Sequence, residues 1–541
     1  MAPVVLEYET KYTPIYTTIA HLVAAIYLTY TVSLSLYQAY HAIRPAAHTR
    51  ERKHKRHLLV PIFGGLALLA LSSDIYHKLS YLTVSYKVWA HQRGVVVPPS
   101  FFVTTTNGSE RAPLYLSRWL TDTPIYLDAA EIVSEKARRY WWGNQRALAT
   151  VAWSMLLAIE GRRRKIPYLW AYMALAQLVN LSFAQNLFYV ALLLAPAPVE
   201  YGIWSERSRI KRAFNWAFPH KPQNWFPKPW IFTAVLTVNY IVQYMFSFMA
   251  GAPAFSNFAI LSRLLTFAPV AIPRIIPQSW GTIHRHPHDA YPTYTKLFRR
   301  IAVSSALLFT KATLTGLWYN LPDSHKHRHS IHIPFDTERR TNWERTTSAA
   351  GKILGSMSDH PIVALVGWDV IISIVSLGLW AAVRAMKVED ILVSCVPYYR
   401  TDNTTSPEAV VKSLVEDGKQ EQLDQQPYTL RRRGLRTRAG ILDVSSSKEA
   451  DDESPLPKKR GRPRKTRTDP DQEQEQELLE PEHPDDETYV PPPEVEAEVA
   501  EGDQLEAEDE WESAALAWGV TALAGLGAAS AGVFGGECIA R

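Results

Sequence analysis

Long, predominantly apolar runs constrain this chain more than any other feature. About 20 consecutive apolar residues suffice to cross the hydrocarbon core of a bilayer. Such runs recur near residues 14–38, 58–76, 145–161, 166–194, 230–250, 254–273, 301–319 and 361–383. A ninth, "SAALAWGVTALAGLGAASAGVFGG" at 513–536, is rich in Gly and Ala, small residues that let helices approach closely. None of the runs alternates as barrel strands do, and backbone groups in lipid must be satisfied internally, so helices are the expected form. The expected fold is all-α: a polytopic transmembrane helical bundle of eight or nine spans.

The mean hydropathy of -0.14 hides this, because a polar tail dilutes an apolar front. Residues 469–512 contain no Lys or Arg, so the net charge of +5 averages two opposed regions. The layout reads as two spans in 1–76, a lumenal loop with an acidic interfacial helix in 77–144, and a transmembrane core in 145–387. A charged linker at 388–512, whose composition predicts disorder, leads to a C-terminal span in 513–541. Only Cys395 and Cys538 are present, so no disulfide framework is implied. The start, "MAPVVLEYETKYTP", lacks a basic n-region and a cleavage site, so the first span is expected to be retained.

Basic stretches orient the spans. "RPAAHTRERKHKRH" at 44–57 and "RRRK" at 162–165 belong in the cytosol by the positive-inside rule. The amino terminus and the sequons at Asn107 and Asn403 then fall in the lumen, where both asparagines are glycosylation candidates. The basic "SERSRIKR" at 205–212 would be lumenal as well, against the same rule. Within 77–144, "WLTDTPIYLDAAEIVSEKARRYWWGNQ" predicts a helix starting at Thr123-Pro124. It would carry Asp128, Glu131 and Glu135 on one face, closed by Trp141 and Trp142 at the membrane interface.

Asp369, in "VGWDVIISIVSLGLW", is the most demanding residue, because an unpaired charge in lipid costs at least several kcal/mol. It is either a counter-ion to Arg263 or Lys311, or a neutral acid facing an apolar cavity. Gln177, Asn180, Gln185, Asn186, Asn239 and Gln243 are further intramembrane polar groups, able to bond across helices or to orient a substrate oxygen. The acids around Asp128 and Glu131 either form a solvated helix face or point into the bundle mouth. Histidines 284, 286 and 288 and histidines 325, 327, 329 and 332 form two clusters, but a span at 301–319 separates them and Arg and Lys interleave them. No metal site and no cofactor are expected. The tail run "PKKRGRPRKTR", with Arg460, Gly461, Arg462, Pro463 and Arg464 at its centre, is similar to an AT-hook that lies in a narrow minor groove. The orientation above puts it in the lumen, away from DNA.

Four phrases carry a family resemblance: residues 119–145 quoted above, "LSFAQNLFY" at 181–189, "SWGTIHRHPH" at 279–288 and "KILGSMSDHPIVALVGWD" at 352–369. Together they resemble the ascofuranone-type membrane-bound terpene cyclases of fungal secondary-metabolite clusters. The likeness covers roughly residues 10–395 and the last span. It implies metal-free, protonation-initiated cyclisation of a prenylated or epoxyprenyl meroterpenoid precursor in the endoplasmic reticulum. The chemistry then asks for a neutral acid, a dry pocket and aromatic walls for a cation. Asp369 is the expected donor, with Asp128 or Glu131 as second acid or base. Gln177, Asn180, Gln185, Asn186, Trp142 and Trp368 are the expected substrate contacts. The bilayer and a lipophilic terpenoid are the expected partners, with no obligate protein partner. Two other functions fit the same residues: a membrane-anchored AT-hook DNA-binding protein, and a proton-coupled transporter of a lipophilic metabolite.

Overall fold

The computed structural model describes residues 12–41, 49–95, 114–195, 221, 225–284, 290–328, 336–384, 386–399 and 508–539. Its described elements are predominantly helical, and five helices are long and apolar enough to cross a membrane. These are α1 (Tyr12–His41), α2 (Thr49–Gln92, whose apolar part is His57–Gln92), α9 (Phe255–Ile275), α10 (Tyr291–Asn320) and α12 (Pro361–Val383). Between them stand α3 (Leu116–Asp122), α4 (Ile125–Ser134), α5 (Ala137–Leu156), α6 (Leu169–Leu178), α7 (Leu181–Leu194), α8 (Pro229–Phe246) and α11 (Asn342–Leu354). After α12 come α13 (Val388–Cys395), α14 (Glu508–Ala524) and α15 (Leu526–Ile539).

Two runs read as single crossings fold differently. Residues 166–194 form α6 and α7, which break at Val179-Asn180 and turn back on each other. The rings of Tyr172 and Phe188 lie 5.5 Å apart, whereas a continuous helix would separate them by roughly 24 Å. Arg164, just before α6, reaches the Leu192 carbonyl near the end of α7. Both ends of the pair are therefore at the end of the bundle that carries Arg162, Arg163 and Arg164, here the basic end. At roughly 15 Å, α6 has half the length needed to cross a hydrocarbon core of about 30 Å.

Residues 513–536 repeat this design. α14 turns at Gly525 into α15, which returns to the basic end and presents Glu537 to Arg164 and Arg384. The glycines the sequence marked for close packing do this in α15: a Cβ on Gly527 would meet Leu148 and Ser305, and one on Gly535 would meet Ser394 and Phe298. Nearly all of α15 is buried among α5, α10 and α13.

Three further expectations are revised. α2 runs roughly 66 Å, so residues 77–92 are helix and not loop. Its far end presents Tyr81, Tyr86 and Trp89 to Trp119 and Ile125, making a second small core beneath α3 and α4. The single helix predicted from Thr123 to Trp142 breaks at Lys136, whose extended backbone separates α4 from α5. Trp141 and Trp142 therefore belong to α5. Residues 388–395, assigned to the linker, are the helix α13, packed on α15. The strand pairs Trp225–Pro227 with Gly281–Ile283 and His325–Arg328 with Asp336–Arg339 are short antiparallel clasps.

Candidate functional site

A hairpin that ends inside a bilayer leaves four carbonyls at the end of one half-helix and four N–H groups at the start of the next. Here they find charged partners of matching sign. Asp369 of α12 accepts from the backbone N–H of Leu181 at 3.1 Å and of Ser182 at 2.7 Å. Lys78 of α2 donates to the carbonyls of Leu178 at 2.9 Å and Val179 at 3.3 Å. Arg146 of α5 donates to the Ala176 carbonyl at 3.1 Å, and His21 of α1 lies 3.1 Å from the Leu178 carbonyl. Cations thus sit at a helix C-terminus and an anion at an N-terminus, the arrangement the helix dipole favours.

The charges also pair among themselves. Arg146 Nε is 3.1 Å from Asp369, and Lys78 is 2.8 Å from Asp74. Asn180 completes the tip: its Oδ1 accepts from the Phe183 N–H at 2.8 Å as an N-cap, and its Nδ2 donates to the Ala70 carbonyl at 3.0 Å.

The second hairpin tip lies on the neighbouring residue of the same helix. Gln145 Oε1 accepts from the Leu526 N–H at 2.7 Å, immediately after Gly525. Adjacent side chains of α5 therefore hold both turns. At the basic end, Glu537 accepts from Arg384 at 2.7 Å and Arg164 at 2.9 Å, and Glu160 accepts from Arg163 and Arg164.

A groove of about 410 Å³ lies between α8 and α10, lined by Thr233, Thr237, Tyr240, Tyr244, Ser304 and Arg300 among apolar neighbours. The Tyr240 hydroxyl, paired with Ser305 at 2.8 Å, is at its wall. Ser305 in turn lies against Gly527 of the second hairpin.

The predicted site residues scatter over this architecture. Asp369 is buried as expected, but its partner is Arg146, not Arg263 or Lys311. With two N–H groups and a guanidinium on its oxygens it acts as an acceptor, so the reading of a neutral acid open to a cavity is corrected. Lys311 instead donates to the Tyr244 carbonyl and lies over the Tyr244 ring at 3.9 Å. Arg263 has no ion pair among the described residues. Gln177 donates to Thr266, Gln185 to the Tyr189 hydroxyl and Asn186 to the Ser182 carbonyl. These amides, like Asn180, bond within the protein. Asn239 is the exception: it is fully buried, and neither amide atom is paired among the described residues.

Trp142 donates to the Ile353 carbonyl. Trp368 is 45% exposed on the outside of the bundle and cannot wall an interior pocket. Asp128 and Glu131 lie on α4 at the far end, while Asp369 is two turns inside α12, so the structure does not bring the three together. Burial, then the Glu131 carboxylate, pushes the Asp128 carboxyl above its ordinary 3.8. Among the described residues no group of three His, Cys, Asp or Glu could hold a metal. Asn107, Asn403, residues 460–464 and histidines 286, 288, 329 and 332 lie outside the described residues.

The sequence alone does not single out Asp74, Lys78, Gln145 and Arg146, which stand at the ends of the apolar runs 58–76 and 145–161. The four-residue spacing of Asp74 and Lys78, which pairs charges on one helix face, was the available signal. Comparison with family models, curated proteins and solved structures finds no match to this chain.

Proposed function

We propose that the chain is a membrane carrier for a lipophilic small molecule bearing a hydroxyl or carbonyl oxygen. The observation that carries this reading is the pair of half-helix hairpins whose turns meet Gln145 and Arg146 of one helix. Discontinuous helices that end at the bilayer midplane build the sites of many secondary transporters, because their exposed termini supply polar groups where lipid has none. A lateral groove with hydroxyls along an otherwise apolar wall gives such a molecule a way in from lipid, and it backs onto the second hairpin.

Terpene cyclisation is supported less well. It loses Asp369 as a free acid and retains Asp128, kept towards its neutral form at the bundle mouth. Vesicles containing the purified protein, offered a prenylated phenol, separate the two. Time-dependent accumulation of the unchanged compound, absent from protein-free vesicles, supports the carrier. A chromatographically distinct product of equal mass overturns it in favour of the cyclase.

A further inference from the structure

Of the carboxylates at the first hairpin tip, only one has spare capacity. Both oxygens of Asp369 are engaged by donors. Asp74 is 4% exposed, its Oδ2 holds Lys78, and its Oδ1 has no partner among the described residues. A buried carboxylate oxygen without a donor is costly unless something binds it.

We propose that Asp74 is a proton-binding site and that its protonation releases the first hairpin tip. This rests on the carrier reading and names its coupling ion. The proton adds to Oδ1, and no covalent bond in the chain breaks. The charged groups around Asp74 are Lys78 on its own helix, Arg146 on α5 and Asp369 on α12. His21 on α1 and Arg263 on α9 lie within electrostatic range of Lys78 and Arg146. Proton uptake by Asp74 leaves Lys78, Arg146 and Arg263 facing Asp369 alone. An unpaired ammonium in lipid moves towards water, and Lys78 then lets go of the Leu178 and Val179 carbonyls that fix the tip.

The full-length protein in lipid nanodiscs tests this without a substrate. Amide hydrogen exchange is followed over residues 176–184 in mildly acidic and mildly alkaline buffer, corrected for intrinsic rates. In the wild type, protection of this segment should fall about tenfold on acidification. Asp74→Asn should be weakly protected in both buffers. Asp74→Asn/Lys78→Met, which also lacks the ammonium on the Leu178 and Val179 carbonyls, should be weakly protected in both. Infrared difference spectra should show a protonated-carboxyl band that grows with acid and is missing in Asp74→Asn, a readout that needs no exchange data. Equal protection of the wild type in both buffers, or the same band in Asp74→Asn, overturns the proposal. Flux into vesicles together with flat tip protection would sink Asp74 and leave the carrier. A titrating tip without flux would do the reverse.

Discussion

Asp369 takes two backbone N–H groups and one guanidinium on its oxygens, so neutralising it leaves Arg146 without a carboxylate inside an apolar bundle. Removing one partner of such a pair costs about 3–5 kcal/mol, more than the pair itself contributes. Asp369→Asn and Arg146→Met should each lower the thermal midpoint in detergent by a comparable amount, and the double variant should lose less than their sum. A double variant that loses the full sum would show that the two side chains act independently.

His360 supplies a second test. Its Nδ1 accepts from the Ile362 N–H at 3.2 Å and caps α12. Burial, then the Arg139 guanidinium, hold the imidazole below its ordinary 6.5. The unfolded chain therefore takes up this proton at a higher pH than the folded one. Stability from the cap is full above 6.5 and is lost as pH falls through the folded value. Asp128 has the opposite sign: its contribution is full below 3.8 and is lost as pH rises through its raised folded value. Unfolding measured on the acid side of neutrality should flatten in His360→Asn, which caps without titrating, and an unchanged pH slope would remove His360 from the account. At this scale the need of Asp369 for a partner was legible in the sequence. The partner's name was not, because Arg146 looks like the charged edge of a span until the hairpin tip it serves is in place.

The two hairpins mark the limit of apolar length as a signal. Runs at 166–194 and 513–536 have the length of a crossing, and hydropathy cannot distinguish one long helix from two short antiparallel ones. The chain nonetheless carries the punctuation. Asn180 precedes Leu181 as an N-cap residue, and Gly525 takes the left-handed conformation (φ +86°) that ends α14. Gly525→Ala would strain that backbone by about 1–2 kcal/mol and put a Cβ 2.7 Å from Phe309 and 3.0 Å from the Gln145 Oε1 that holds the turn. The second hairpin should loosen. In a Cys395→Ser background, buried Cys538 of α15 should then react with a membrane-permeant maleimide several-fold faster. Gly519→Ala, which meets no atom within 4 Å, is the control and should label at the parent rate. Equal rates in the two variants would mean that the turn does not anchor α15.

Counting the hairpins as returns instead of crossings changes the parity of every later segment. The described chain leaves the bundle at 195 and resumes at 221, where Lys221 bonds to the carbonyls of Pro273 and Ile276 and lies over Trp225 beside Arg162. Residues 205–212 are thus flanked on both sides by the end that carries "RRRK" at 162–165. The conflict with the positive-inside rule came from one crossing too many. By the same count α12 runs from the far end to the basic end, where Arg384 meets Glu537, and α14 starts there beside α13. The flanks of 400–507 therefore lie on the cytosolic side if the basic end does. This reverses the expectation for Asn403 and removes the lumenal argument against residues 457–467 meeting nucleic acid, while Asn107, flanked by far-end helices, keeps its lumenal assignment. Expressed with microsomes, the protein should gain a glycan that Asn107→Gln removes, and Asn403→Gln should change nothing. A protease added outside intact microsomes should cut within 400–507 and spare 96–113. Glycans on both Asn107 and Asn403, or protection of both segments, would restore the extra crossing and overturn the hairpin count.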